Sequence, residues 1–414
     1  MIVLYIILAI AILLLMVLIH EFGHYTIGRM LNFKITEFSV GFGKAIFSRK
    51  NKRGELISLR IFPLGGYCAF AGEDETNPND KDAFTNQAPW KRILVFLAGV
   101  TFNFATAVIF SLILLCTVGY DVPQVQTLFD ATSTAIYDVY GNEVDIDSIN
   151  TDITPVTNLS NIPEGAETLQ EGDVIISING EKIDFAYGSL YGDLRTVEFA
   201  NLMSYLEEEK ESHPDTYNER EAFQNYQETT TAVVKRNGEY IDNVYIGFYQ
   251  LEIRTPKLDS EGNVIEGEYD INYAYCFDGR VSAYVYTFSE ALERAVPFAF
   301  GLAWVVLKSL WMLITFQLPL SSIGGPLTTI ETIATFTQTN IANVLLLIPL
   351  ISANLAIFNA LPIPALDGSH VLFTTIEAIR KRPIKRETEN LIHTIGLVIL
   401  FGFVILVDIL HFLL

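Results

Sequence analysis

Cysteine is scarce. Cys68, Cys116 and Cys276 are spread over 414 residues. Such spacing excludes a disulfide framework and a cysteine zinc site. Cys116 lies in an apolar run and reads as packing. Positive charge is also short: 27 Lys and Arg stand against 48 Asp and Glu, for a net charge of −21. Nucleic-acid binding needs basic surface to neutralise phosphates, so no nucleic-acid partner is expected. The deficit is local. Residues 121–295 hold 34 acidic and 10 basic residues, whereas the remainder holds 14 and 17. The first 19 residues carry no charge at all. They lack the basic start and small-residue cleavage site of a signal peptide, so a retained membrane span is expected.

What the chain has in abundance is apolar sequence. Four segments, about 2–24, 93–119, 341–361 and 391–412, reach the roughly 20 residues that cross a bilayer. A fifth, 296–316, carries Lys308. Loop charge orients the spans. Residues 25–92 carry 11 Lys and Arg, and Arg380, Lys381, Arg382, Lys385 and Arg386 precede the last span. Both basic stretches belong on the cytoplasmic side, which puts the acidic block outside. If 296–316 also crossed, the link 380–386 would fall outside. The segment therefore reads as an interfacial or re-entrant helix, with Lys308 reaching the headgroups.

Within the first span stands His20-Glu21-Phe22-Gly23-His24. On a helix, residues four apart face the same way, so both imidazoles can reach one ion. Glu21 lies one step round, placed to touch a metal-bound water without being a ligand. Three polar side chains in an apolar span argue for function. A catalytic zinc needs a third ligand from elsewhere. Asp367 is the leading candidate. It follows Pro362 and Pro364, which break an apolar helix, and broken backbone at membrane depth is tolerated only where it lines a cavity or is buried in protein. His370 is the rival ligand. His213, His393, His411 and Asp408 are weaker candidates.

These residues resemble a known family. "HEFGH" on a first span with "NALPIPALDG" on a later one is similar to the site-2 protease family of intramembrane zinc metalloproteases, in particular its bacterial regulator-of-sigma-E type. "FSVGFGK" (38–44), "FPLGGYCAFAGE" (62–73) and "SIGGPLTTIETIA" (322–334) match further family segments, and "LQEGDVIISINGEKI" (169–183) resembles a PDZ core. The resemblance implies that His20, His24 and Asp367 bind Zn2+ and that Glu21 is the general base. It implies substrate-facing positions at Asn354, Asn359, Pro362, Pro364, Gly65 and Gly66. It also implies that residues 55–72 form a membrane-associated hairpin or sheet. Ile57, Leu59 and Ile61 alternate with polar residues, Gly65-Gly66 supplies a turn, and an edge there could pair with an unwound substrate.

The expected fold is a multi-pass α-helical membrane protein. It has four transmembrane helices, an inserted extracytoplasmic α+β PDZ-like domain and a small membrane-associated β-sheet. Residues 1–120 hold two spans, the zinc motif and the β segment. Residues 121–295 form the extracytoplasmic region, with a PDZ-like part at about 155–250. Residues 296–340 hold the interfacial helix and Gly-Pro segment, and 341–414 the last two spans. A hairpin is expected around Asn237-Gly238. The acidic stretch 186–230 reads as an inserted helix and loop with a solvated charged face. The implied activity is that of an intramembrane zinc endopeptidase in the cell membrane, with its active site towards the cytoplasm. Its implied partners are lipid and single-pass membrane protein substrates, such as an anti-sigma factor or a remnant signal peptide. An ion transporter and a catalytically inert scaffold are the alternatives. The first gives Glu21 no evident task, and the second leaves an intact ligand set unexplained.

Overall fold

The computed structural model describes residues 2–73, 80–119, 122–128, 136–137, 143–144, 152–158, 162–182, 200–226, 229–258, 264–277, 279–318, 325–339, 343–382 and 384–413. Two compact units emerge. One joins Met1–Thr117 to Thr287–Leu414, and the other is Val118–Tyr286.

The first unit is helical because lipid leaves backbone groups no partner except each other. Among the described residues, five helices are long and apolar enough to cross a membrane by length and composition: α1 (Ile2–Met30), α2 (Pro89–Thr117), α5 (Phe288–Ile314), α7 (Asn343–Ala360) and α9 (Arg386–Leu413). The segment 296–316, expected as an interfacial or re-entrant helix, forms most of α5. The helix begins earlier than its apolar run because Glu290 accepts hydrogen bonds from the Thr287 N–H (3.0 Å) and hydroxyl (2.8 Å). α5 packs against α2 and α7, with the rings of Phe104 and Phe300 4.8 Å apart.

The same unit holds two shorter α-helices among the described residues, α6 (Pro326–Thr339) and α8 (Asp367–Arg380). Ala9, Ile12 and Met16 of α1 pack with Ile333 of α6 and with Leu347, Ile348 and Ile351 of α7. Arg92, at the start of α2, meets Glu377 of α8 at 2.8 Å in a buried pair. Glu377 also accepts the Ile384 N–H at 2.9 Å, which ties the link before α9 to the same point. Near the other end of α9, Asp408 accepts the N–H groups of Leu327 and Thr328 and the Thr328 hydroxyl. A carboxylate there satisfies donors that a helix start leaves without partners.

Strands β1 (Ile35–Lys50) and β2 (Leu56–Phe70) form the small sheet expected around 55–72, but without the expected turn at Gly65-Gly66. β2 runs straight through Gly65-Gly66. Residues 37–40 each have two partners, one in 66–69 and one in 56–59. The two arms of β2 thus flank residues 37–40 of β1 instead of pairing with each other, and the 56–60 arm also pairs with residues 45–50. Gly65 adopts φ +125°, which a side chain would resist. A Cβ on Gly66 would approach the Ser39 carbonyl oxygen to 2.8 Å. Arg60 and Glu37 pair at 2.7 Å across this sheet. Burial raises the Glu37 carboxyl, but hydrogen bonds from Ser58, Arg60 and Tyr67 outweigh it and hold the group below its ordinary value.

The second unit contains β3 (Pro123–Leu128), β4 (Ile136–Tyr137), β5 (Glu143–Val144), β6 (Asp152–Asn158), β7 (Val174–Ile178), β8 (Glu181–Lys182), β9 (Thr230–Arg236), β10 (Glu239–Ile246), β11 (Phe248–Leu258), β12 (Val264–Phe277) and β13 (Gly279–Ala283). One sheet has the order β10-β9-β7-β3-β13, with β8 paired to β7. A second has the order β12-β11-β6, and β4 pairs with β5. The expected hairpin forms between β9 and β10, where Asn237 and Gly238 take φ of 52° and 89°. Asp173, of the "GD" pair, is fully buried and meets Arg236 at 2.7 Å.

The acidic stretch contributes more than a solvated face. Its described part forms α3 (Ala200–Ser212) and α4 (Glu219–Asn225). Leu202, Leu206 and Phe223 enter one core with Ile175, Ile178, Val234 and Val244. Helical periodicity hides these apolar positions among the glutamates. Residues 186–199 lie outside the described residues.

Candidate metal centre

α1 carries His20 and His24 on one face, and the break between α7 and α8 carries Asp367 to them. His20 Nε2 lies 2.9 Å from Asp367 Oδ2, and His24 Nε2 lies 3.3 Å from the same oxygen. The two Nε2 atoms are 3.2 Å apart. Ligand atoms about 2.0–2.1 Å from a tetrahedral zinc stand roughly 3.3–3.4 Å from one another; two of the three separations are near that, and His20 Nε2 to Asp367 Oδ2 is shorter at 2.9 Å. Both histidines are buried, at 8 % exposure each.

The donor set fits a cation on chemical grounds as well. His24 Nδ1 lies 2.8 Å from the Val95 carbonyl oxygen. A carbonyl only accepts, so Nδ1 holds the proton and Nε2 of the neutral ring presents a lone pair. Asp367 Oδ2 is held beside the two imidazole Nε2 atoms. Two imidazole nitrogens and a carboxylate oxygen thus converge on one point, a donor set that suits a zinc ion.

The chain positions these groups by interrupting a helix. Pro362 and Pro364 lie in the segment 361–366, and α8 starts at Asp367. Ala365 takes φ +77°, and its N–H donates to His393 Nδ1 at 2.9 Å. His370, the rival ligand, points elsewhere. Its ring stacks between those of Phe96 (4.9 Å) and His393 (4.2 Å). His370, Glu389 and His393 form a second cluster of potential ligands. The two rings are stacked 14° from parallel, so their in-plane lone pairs do not converge. Asp408 is occupied at the start of α6.

Glu21 leaves the histidine face and approaches β2. A Cβ on Gly66 would lie 3.3 Å from Glu21 Cγ, so the 66–70 arm passes directly beside this carboxylate. That arm pairs with β1 on one side only among the described residues. Asn354 and Asn359 both lie on α7, the first exposed and the second half-buried. Five residues apart on an α-helix is roughly 140° round the axis, so the two amides do not share a face.

Sequence reasoning missed a stripe on α2. Val95, Gly99 and Asn103 recur every fourth residue, matching the spacing of the histidines they meet. A Cβ on Gly99 would lie 2.5 Å from His20 Cε1 and 2.6 Å from His24 Nε2. Asn103 is fully buried, and its Nδ2 lies 3.3 Å from His20 Nδ1. The available signal was an amide in an apolar span.

Known proteins resemble this chain over most of its length. The model of Peptidase family M50 matches residues 8–403. A Pasteurella multocida protein named "Putative zinc metalloprotease" is 26 % identical over 429 residues, covering 96 % of each chain. A protein of the same description from Rickettsia conorii is 26 % identical over 405 residues, covering 94 % of this chain and 93 % of its own. The "Regulator of sigma E protease" of Haemophilus influenzae is 25 % identical over 448 residues, covering 96 % of this chain and 95 % of its own. With a family match from the first helix to the last, on a fold that gathers His20, His24 and Asp367 about one point, this chain belongs to Peptidase family M50, the site-2 protease family.

Proposed function

We propose that this protein is an intramembrane zinc endopeptidase that cleaves the transmembrane segments of single-pass membrane proteins. One observation carries the reading: three ligand atoms converge in a helical unit while Glu21 and an unpaired strand edge stand beside them. His20, His24 and Asp367 hold zinc. When bound, zinc supplies Lewis acidity for the scissile carbonyl and brings the pKa of water towards neutrality. Glu21 takes the proton from the attacking water and returns it to the departing amine. A substrate helix hides its carbonyls in backbone hydrogen bonds, so it must unwind first. The 66–70 arm of β2 offers main-chain groups to the unwound segment, holding it extended next to Glu21. Gly65 and Gly66 keep that arm low, and Asn359 supplies an amide towards the substrate. The test is cleavage of a tagged single-pass substrate in detergent. Cleavage stops when zinc is chelated and returns when zinc is restored. Undiminished cleavage by protein shown to be metal-free would exclude the mechanism.

The basic stretches put the ends of α1 and α9 nearest the metal centre on the cytoplasmic side, with the PDZ-like region outside. Asp408 lies 22 residues beyond Arg386, roughly 33 Å along α9. Its contacts with Leu327 and Thr328 therefore support a start of α6 at the outer face. The chain from Tyr286 to Gly325 then makes no net crossing, as a re-entrant α5 requires. Gly324→Cys tests this in a Cys68→Ser, Cys116→Ser, Cys276→Ser background. An impermeant maleimide is expected to label residue 324 from outside. Labelling from the cytoplasmic side alone would overturn the assignment.

A further inference from the structure

We infer that Asn103 is a positioning residue that holds His20 in its metal-binding tautomer. The inference rests on the metal-site reading above. His20 presents Nε2 towards Asp367 and His24. To bind an ion through Nε2, the neutral ring must carry its proton on Nδ1. That proton needs an acceptor, because a buried N–H without one is costly. His24 solves the problem with the Val95 carbonyl. His20 has the Asn103 amide, one helical turn beyond Gly99 on the same stripe of α2.

The amide stands with Nδ2 towards His20 Nδ1, and its Oδ1 is buried with no hydrogen-bond partner. This orientation suits the tautomer protonated on Nε2, which is the wrong one for a ligand. A carboxamide has nearly the same shape when turned by half a rotation about its last torsion. Turning it brings Oδ1 to Nδ1 and removes the orphaned acceptor. Asn103 therefore accepts from His20 Nδ1–H when metal is bound, without the ring moving.

The role separates three substitutions. Asn103→Leu keeps the size and removes the acceptor. Asn103→Ala removes both. Asn103→Asp keeps the size and can only accept. The measurement is the zinc dissociation constant of purified full-length protein in detergent, by competition with a chelator. Loss of a partner of a metal-binding histidine weakens metal binding by about 10–100-fold, so Asn103→Leu and Asn103→Ala are expected in that range. Asn103→Asp is expected to bind at least as tightly as wild type. Zinc bound by all three as by wild type would overturn the role. So would equal weakening in all three, which is what a space-filling residue would give. Wild type and His24→Ala run beside them test the underlying site. If wild type takes up no zinc, or His24→Ala keeps it, the metal reading fails rather than the assignment of Asn103.

Discussion

Glu21→Gln is expected to retain zinc at the wild-type level and to cleave about 10²–10⁴-fold more slowly, the range that positioned proton transfer contributes. The substitution changes almost no volume. It leaves His20, His24 and Asp367 untouched, along with the Val95 carbonyl that orients His24. What it removes is a group able to take and return a proton beside the 66–70 arm of β2. A glutamine fits the space next to Gly66 as the glutamate does, so substrate pairing should survive and the loss should fall on kcat with little change in KM. The measurement is cleavage of a tagged single-pass substrate in detergent, with zinc content determined on the same preparations. Cleavage at the wild-type rate would remove Glu21 from the chemistry. Loss of zinc together with activity would make it part of the metal site instead. An ion-transport role gives Glu21 no such selective effect.

The parts of this molecule that were legible in the sequence are those set by local spacing. His20 and His24 are four apart on an uninterrupted helix, so their common face follows from helix geometry alone. Asp367 was legible because Pro362 and Pro364 announce broken backbone inside an apolar run, which needs a reason to exist. The choice of Asp367 over His370 was not settled by spacing. It depends on the stack of Phe96, His370 and His393, a contact among three segments. The arms of β2 illustrate the same limit. Alternation finds a strand, but cannot tell that 56–59 and 66–69 lie on opposite sides of one partner. α3 misled for a different reason: its glutamates dominate the composition, while Leu202 and Leu206, four residues apart, face the core. Val95, Gly99 and Asn103 acquire meaning only when α2 crosses α1.

That crossing makes Gly99→Ala the single-methyl change expected to strike the metal centre most directly, because both histidine rings lie against the glycine. In isolation alanine favours a helix by about 1 kcal/mol over glycine, so helix propensity alone would not disfavour the change. The added carbon, however, would stand 2.5 Å from His20 Cε1, 2.7 Å from His20 Nδ1 and 2.6 Å from the lone-pair nitrogen of His24. Two responses are available. The rings can turn aside, which carries both Nε2 atoms away from Asp367. Alternatively α2 can recede, which withdraws the Val95 carbonyl and Asn103 from the same rings and is opposed at Gly23, whose own Cβ would already meet the Ala98 carbonyl oxygen at 2.6 Å. That close backbone approach is one that small residues permit and that a packed helix pair does not readily give up. Either response dismantles the site, so purified Gly99→Ala is expected to retain no stoichiometric zinc and no cleavage, despite intact ligands. Gly402→Ala is the matched control, since nothing lies within 4 Å of its added carbon. It should keep both zinc and activity. Full zinc occupancy in Gly99→Ala would mean that α1 and α2 cross further apart than 2.6 Å contacts allow, and the support of both histidines by α2 would have to be abandoned.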